Sequence, residues 1–497
     1  MNPNSEPINP RLEGSIARIK SIFGGSADLN VMRVEVSGVK CALLTLEGMV
    51  SSSDLAKMMF DPLMRYDRKN AKPQDVFNFL SEDAIFSVEA YTVNLCSEVT
   101  EKLCSGFAVV LIHGFPRGVA VSAQGFNTRS ISEPDSEANV KGTREALSDN
   151  LRTSMSLIRR RVKNPRLRFE FVKAGKISNT ELCMVYIEGK TPKALREQTK
   201  KRLEQIKSEL ILTCGNILPY LAENGGSFFS GVSTTERPDV LCAKIDEGRI
   251  AVLIDGVPFA AVCPALFVEN FQTIDDYADK PYYATYLRWI RFFAFFISSL
   301  LPGLYVAAAV YHPEVLSRSL LLNLLASEEK TPFPLVVEML IVIIMFEILR
   351  EAGIRLPRSI GGAVSIVGGL VIGDAAVTSG LISAPLLIII GITATSAFVI
   401  PSLNPQMTIL RIANVILGGA IGFFGIALLW TAMLVNACTT DSFAVPYTAP
   451  MTPFTLRALR DVFMRPSAKN RPANKTIEQM NGVNEPSNDM GRGEGTA

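Results

Sequence analysis

The sequence predicts an α/β soluble region of two similar subdomains followed by an all-α multi-pass membrane domain. Three observations carry this. Charges are confined: residues 1–284 hold Lys+Arg and Asp+Glu in equal numbers, whereas the whole stretch from Ser359 to Thr440 carries only Asp374 and Arg411. The first half repeats itself at a fixed spacing. The second half contains uncharged runs long enough to cross a bilayer, which takes about 20 residues. The 497-residue chain has a formal charge of +2, which argues against nucleic acid as a partner, and its two histidines leave no His-rich metal site.

Residues 1–27 read as a polar arm without the apolar core of a signal peptide. Two α/β subdomains follow, at 28–126 and 178–276. Ala42-Leu-Leu-Thr-Leu-Glu-Gly48 is echoed by Cys183-Met-Val-Tyr-Ile-Glu-Gly189, each an apolar strand closing at a turn. A helical pattern follows each, at Ser53–Met59 and Pro192–Gln198. Ala108-Val-Val-Leu-Ile-His-Gly-Phe-Pro116 is echoed by Ile250-Ala-Val-Leu-Ile-Asp-Gly-Val-Pro258, at nearly the same offset as the first pair. Gly supplies the unusual backbone angle of a hairpin turn there, and Pro fixes the next one. His113 and Asp255 occupy the same turn, where a solvated side chain is the expected reading. Residues 127–177 read as a helical connector holding Arg159-Arg-Arg161, a solvated face paired with acids such as Glu145.

The membrane domain is expected over 285–450, and a basic, mostly disordered tail over 451–497. Tyr282, Tyr283, Tyr286 and Trp289 form an interfacial aromatic belt, with Arg288 and Arg291 beside it. Crossings are expected at 292–311, kinked by Pro302-Gly303, and at 333–349, 381–401 and 412–437. Residues 361–380 are then re-entrant or packed inward. Five crossings would put the soluble half and the basic tail on opposite sides, and six would satisfy the charge rule as four does. Gly418, Gly419, Gly422 and Gly425 let helix backbones approach closely. Glu338, Glu347 and Asp374 are the chemical signal: carboxylates at depth need a polar interior or a partner, so they are candidates for an ion path or a subunit contact. For Glu347 the competing reading is a local pair with Arg350.

The eight cysteines form no C-x-x-C pair and read as buried free thiols in a reducing compartment. No phosphate loop, His-Glu-x-x-His or Gly-x-Ser-x-Gly is present, so no enzyme activity and no cofactor or metal is expected.

Several long motifs stand in order. They are Leu151–Arg161, Thr235-Glu-Arg-Pro-Asp239, Gly248–Pro258, Pro332-Phe-Pro334, Phe346–Pro357, Val364–Gly373 and Phe443-Ala-Val-Pro-Tyr447. On these the chain resembles the GerA family of spore germination proteins, either a germinant receptor A subunit or a SpoVAF-type protein, from about residue 28 to 455. The resemblance implies structural roles for Arg159, Arg160, Arg161, Asp255, Gly256, Pro258, Arg350, Glu351, Arg355 and Pro357. It further implies a spore inner-membrane protein with its N-terminal region in the cytoplasm or spore core. It implies assembly as a homo-oligomer, a pentamer, that forms or gates a cation-release channel in membrane lipid, beside a transporter-like B subunit and a lipoprotein C subunit. A non-conducting scaffold that clusters receptors and a secondary transporter are the alternatives. Ala444 departs from the family pattern, which has Gly there, and Asp441 stands where the family has Arg.

Overall fold

The structure is a computed structural model. It describes residues 6–51, 55–56, 66, 71–81, 90–125, 133–134, 137, 141–222, 227–356, 373–452 and 461–466. Its first half is built twice from the same parts. The first unit runs α1 (Leu12–Ile22), β1 (Leu29–Val36), β2 (Val39–Leu46), α2 (Pro73–Ser81), β3 (Ala90–Val93), α3 (Cys96–Cys104), β4 (Phe107–Ile112) and β5 (Gly118–Ser122). The second runs α4 (Leu151–Arg161), β6 (Leu167–Ala174), β7 (Thr180–Ile187), α5 (Lys193–Glu204), β8 (Ser233–Thr235), α6 (Pro238–Asp246), β9 (Ile250–Ile254) and β10 (Val257–Cys263). Both sheets are antiparallel and five-stranded, ordered β1-β2-β4-β5-β3 and β6-β7-β9-β10-β8. The repeat holds residue by residue: Cys41 faces Ile112 and Leu44 faces Val109, while Leu182 faces Ile254 and Val185 faces Ala251.

Each sheet is covered on both faces, which is why its central strands are apolar throughout rather than alternating. In β4 the side chains of Val109 and Leu111 meet α1 and α3, and those of Val110 and Ile112 meet α2. In the second unit Ala251 and Leu253 meet α4 and α6, and Val252 and Ile254 meet α5. Two boundaries from the sequence therefore move. The arm at 1–27 contributes α1, whose Leu12, Ile16 and Ile19 are core, and the connector at 127–177 contributes α4 and β6 to the second unit. Helix α1 lacks the β-strand period used to find the repeat. The helical pattern expected at 53–59 lies outside the described residues except at 55 and 56, whereas that at 192–198 falls in α5.

The second half is helical: α7 (Pro281–Tyr311), α8 (Arg318–Glu328), α9 (Leu335–Arg355), α10 (Ala384–Ala397), α11 (Asn404–Ile421) and α12 (Phe423–Thr439). Among the described residues only α7 is by itself long and apolar enough to cross a membrane. Helix α10 and the segment Pro401–Ile421 qualify together but meet at 109°, and α12 is a shorter apolar helix. The expected crossing at 412–437 is not one helix. Gly422, at φ +72°, ends α11 and starts α12, a backbone state open to Gly and strained for other residues. Of the segment 361–380, only Gly373–Gly380 is described, and it begins with a short helix over Gly373–Thr378.

Contacts give the helix directions. Ser298 meets Arg411 and Tyr311 meets Ala420, so α7 and α11 run the same way. Val336 touches Gly419 while Glu347 meets Arg411, so α9 runs against them. Phe295 meets Trp430 and His312 meets Phe423, so α12 also runs against α7. After α12 the chain returns to the soluble module. Ser442 Oγ donates to Gly231 O at 2.8 Å, and Phe443 enters the core of the second unit beneath Arg202. Ala444 sits at φ +59°, the region where a Cβ costs about 1–2 kcal/mol.

Candidate functional site in the helical bundle

Helices α7 and α11 pack closely against each other. Pro302 has no N–H, so the carbonyl of Ser298, four residues earlier, loses its helical donor. Such a group is costly to leave unpaired away from water. Arg411 fills the gap: its Nε donates to Ser298 O at 2.9 Å and its Nη2 to Ser298 Oγ at 3.0 Å. One turn on, Asn414 Nδ2 donates to Ser299 O at 3.0 Å. Glycine makes the approach possible, since a Cβ on Gly303 would lie 2.7 Å from the Asn414 backbone, and one on Gly418 would lie 2.7 Å from Gly303 O. The kink and the small residues were visible in the sequence. Arg411 was visible too, as one of two charges between Ser359 and Thr440, but not its partner.

Helix α9 supplies the carboxylates. Glu347 is claimed by two arginines: Arg350 at 2.6 Å and Arg411 at 3.3 Å, with Thr408 Oγ1 donating to it at 3.0 Å. The Arg350 contact is the local pair the sequence offered, and Arg411 is added to it. Glu338 is buried at 1% exposure, and its Oε1 accepts from the Ser383 N–H, capping the start of α10. Asp374 differs: it stands exposed in the first turn of its short helix, so within one chain it lines no interior. Arg355 pairs with Glu351 at 2.6 Å on the exposed end of α9, and Pro357 lies outside the described residues.

A second set of charges seats the bundle on the module. Arg288, fully buried, pairs with Asp276 at 3.0 Å and with Asp461 at 3.2 Å, and Arg291 shares Asp276 at 2.9 Å. The residues read as interfacial arginines are thus anchors, while Tyr282, Tyr283, Tyr286 and Trp289 are exposed. Beneath them Arg249, Lys244 and Glu269 close a buried cluster, with Arg249 Nη1 to Glu269 at 2.6 Å and Lys244 Nζ to Glu269 at 2.8 Å. Burial alone would raise the Glu269 carboxyl, but Arg249 and Lys244 outweigh it and hold it at about 2. Burial, with the Arg249 charge beside it, pulls Lys244 down.

The motif residues of the soluble half are structural in the same way. Arg159 does not lie on a solvated face: it is buried with Asp28 at 2.7 Å and joins the two units, while Arg160 and Arg161 both grip Glu145. Asp255 Oδ1 accepts from the first N–H of α4, at Leu151, and Gly256 N donates to Asp149 O. In the first unit His113 and Gly114 do the same for Leu12 and Pro10. Pro258 follows Val257 at the start of β10. All eight cysteines are free, and burial raises Cys41 and Cys242 to about 12. Among the described residues no three metal-ligating side chains of His, Cys, Asp or Glu converge.

Comparison with known proteins agrees with the motifs. The model of the family described as Bacillus/Clostridium GerA spore germination protein matches residues 17–475. Spore germination protein KA of Bacillus subtilis (strain 168) is 35% identical over 471 residues, 92% of this chain and 85% of that protein. The uncharacterized membrane protein YfkQ of the same organism is 33% identical over 464 residues, covering 92% and 90%. A solved structure, the N-terminal domain of the A subunit of the Bacillus megaterium spore germinant receptor GerK3, aligns with a TM-score of 0.41 at 23% identity, covering 53% of this chain and 98% of that one.

Proposed function

The chain belongs to the GerA family of spore germination proteins, and from that premise we propose that it is a multi-pass membrane subunit of a spore germination complex. In this reading it assembles with copies of itself, beside B and C subunits, around a path that releases monovalent cations. The α/β module faces the cytoplasm or spore core.

The observation that carries the reading is a polar seam inside an apolar bundle whose two ends share one anchor. Helix α7 leaves the module at Arg288, and the chain returns to the same place, where Asp461 binds Arg288 and Arg465 donates to Tyr277 O at 2.8 Å. An even number of passes supports a module and tail on one side of the membrane. The seam of Glu338, Glu347, Arg411 and Asn414 lies along the helices that would cross. Asp374, exposed in one chain, supports a neighbouring copy as its cover, because a lipid-facing aspartate costs about 2.5–3.5 kcal/mol.

Spores carrying Glu338→Gln or Asp374→Asn are expected to retain the protein in the membrane and to lose most germinant-triggered cation release. Normal release from both would remove these residues from the mechanism. The non-conducting scaffold is separated by reconstitution: purified chain that carries no current in a bilayer, yet still captures partner subunits, supports the scaffold instead.

A further inference from the structure

Glu338 presents a second feature that capping does not use. Its Oε1 is taken by the Ser383 N–H, but Oε2 is buried without a hydrogen-bond partner. Three more oxygens nearby share that condition: the Tyr305 hydroxyl on α7, Glu328 Oε1 at the end of α8, and Ser383 Oγ before α10. Tyr305 is 8% exposed, Ser383 4% and Glu338 1%. Tyr305 packs in one core with Leu324, one turn before Glu328, with Met339, next to Glu338, and with Ile382, next to Ser383. Four elements therefore bring unpaired oxygens to the edge of one core, and among the described residues no hydrogen bond satisfies them.

The charge is as unbalanced as the hydrogen bonding. Among the described residues neither Glu328 nor Glu338 joins an ion pair. Arg350 and Arg411 are committed to Glu347, nine residues along α9 and so about 13 Å away, Arg355 pairs with Glu351, and Arg318 and Lys330 are exposed. A buried carboxylate beside a half-buried one, without a cation, is costly, and buried polar groups are ordinarily paired. A hydroxyl can turn to donate to a carboxylate, but two hydroxyls cannot neutralise two charges.

We infer that Glu328, Glu338, Tyr305 and Ser383 bind one divalent hard cation of the Ca2+ class. The donors are all oxygen, with no nitrogen or sulfur, which excludes the softer metals. Two carboxylates balance a double charge, and Ca2+ takes 6–8 oxygens, so water completes the shell through half-exposed Glu328. The ion would tie α7, α8, α9 and the start of α10 together at the end of the bundle remote from the module. This rests on packing and charge alone and stands whether or not ions cross the protein.

The test uses full-length purified chain in detergent, stripped with a chelator and titrated with Tb3+, a luminescent stand-in for Ca2+ that tyrosine sensitises. Saturable luminescence displaced by Ca2+ and not by K+ is expected. Glu338→Gln and Glu328→Gln should each weaken Tb3+ affinity by more than about tenfold. Tyr305→Phe should cut the signal. Circular dichroism checks that each variant is folded, and Glu328→Gln, at a helix end, guards against a misfolded Glu338→Gln. Wild-type chain that binds no Tb3+, or binds it as tightly when either glutamate is replaced, overturns the site. Glutamine variants that are simply more stable than wild type, with or without Ca2+, would show a shared proton in its place.

Discussion

The two α/β units place the same corner in different service. In each, a helix ends at a glycine in the left-handed region, Gly106 or Gly248, and a central strand begins. In the first unit the corner carries Lys102, which stands 3.4 Å over the Tyr91 ring and 4.8 Å from that of Phe107. At the matching positions of the second, the lysine is Lys244 and the aromatic is replaced by Arg249, both closed around Glu269. Glu269 lies on the single turn Phe267–Phe271, whose rings pack on Phe292 and Phe295 of α7. One corner is a half-solvated cation on aromatic rings. The other is a buried charge cluster under the root of the bundle. Shared strand order thus says nothing about which copy holds the helical half; the exchanged side chains do.

The largest effect should come from breaking that asymmetry. Arg249→Leu leaves Glu269 with Lys244 alone, and removing one partner of a buried pair costs about 3–5 kcal/mol. Phe107→Leu, an apolar swap with some loss of volume, should cost about 1–2 kcal/mol. Thermal unfolding of the purified chain, with limited proteolysis to report each unit, measures both. Equal losses would mean the two corners are energetically alike and the comparison is empty.

Acid sharpens the same contrast. The folded Glu269 carboxyl titrates at about 2, below its ordinary value. A depressed carboxyl contributes stability that is fully present above about pH 4.5 and is lost as pH falls toward 2, here amounting to about 3 kcal/mol. The second unit should therefore loosen over that window, and Glu269→Gln should flatten the pH dependence while lowering stability at pH 7. Proteolysis rates of the two units between pH 5 and pH 2.5 provide the measurement. Parallel loosening of both units with Glu269 intact would assign the acid response elsewhere.

The strands were legible because their period is short and their offset constant: a near-identical spacing between the two copies became matched registers in the sheets. Helices α1 and α4 went unpaired because Leu12-Glu-Gly-Ser15 and Leu151-Arg-Thr-Ser154 share only their ends, while what makes them equivalent is a cap supplied from a turn far along the chain. In the bundle, Pro302 announces an orphaned carbonyl at Ser298, but the donor comes 113 residues later, a pairing that local sequence does not encode. The glycines at 418, 419, 422 and 425 all permit close approach. Which of them breaks the helix is a matter of backbone: of the four only Gly422 takes a positive φ, +72°.

Those caps supply the smallest test. Asp255 Oδ1 accepts the Leu151 N–H at 3.3 Å, and His113 Nδ1 accepts that of Leu12 at 3.5 Å. Both bonds are long, but a carboxylate also meets the positive end of the helix dipole, which a neutral ring does not. Asp255→Ala should therefore cost about 1 kcal/mol and His113→Ala less than about 0.5 kcal/mol, read as shifts in denaturant midpoint. His113→Asp should then stabilise the first unit, since it gives α1 the cap that α4 already has. A loss on that exchange would mean the two turns hold their helices at different angles, so that the units match in strand order but not in how α1 and α4 are seated.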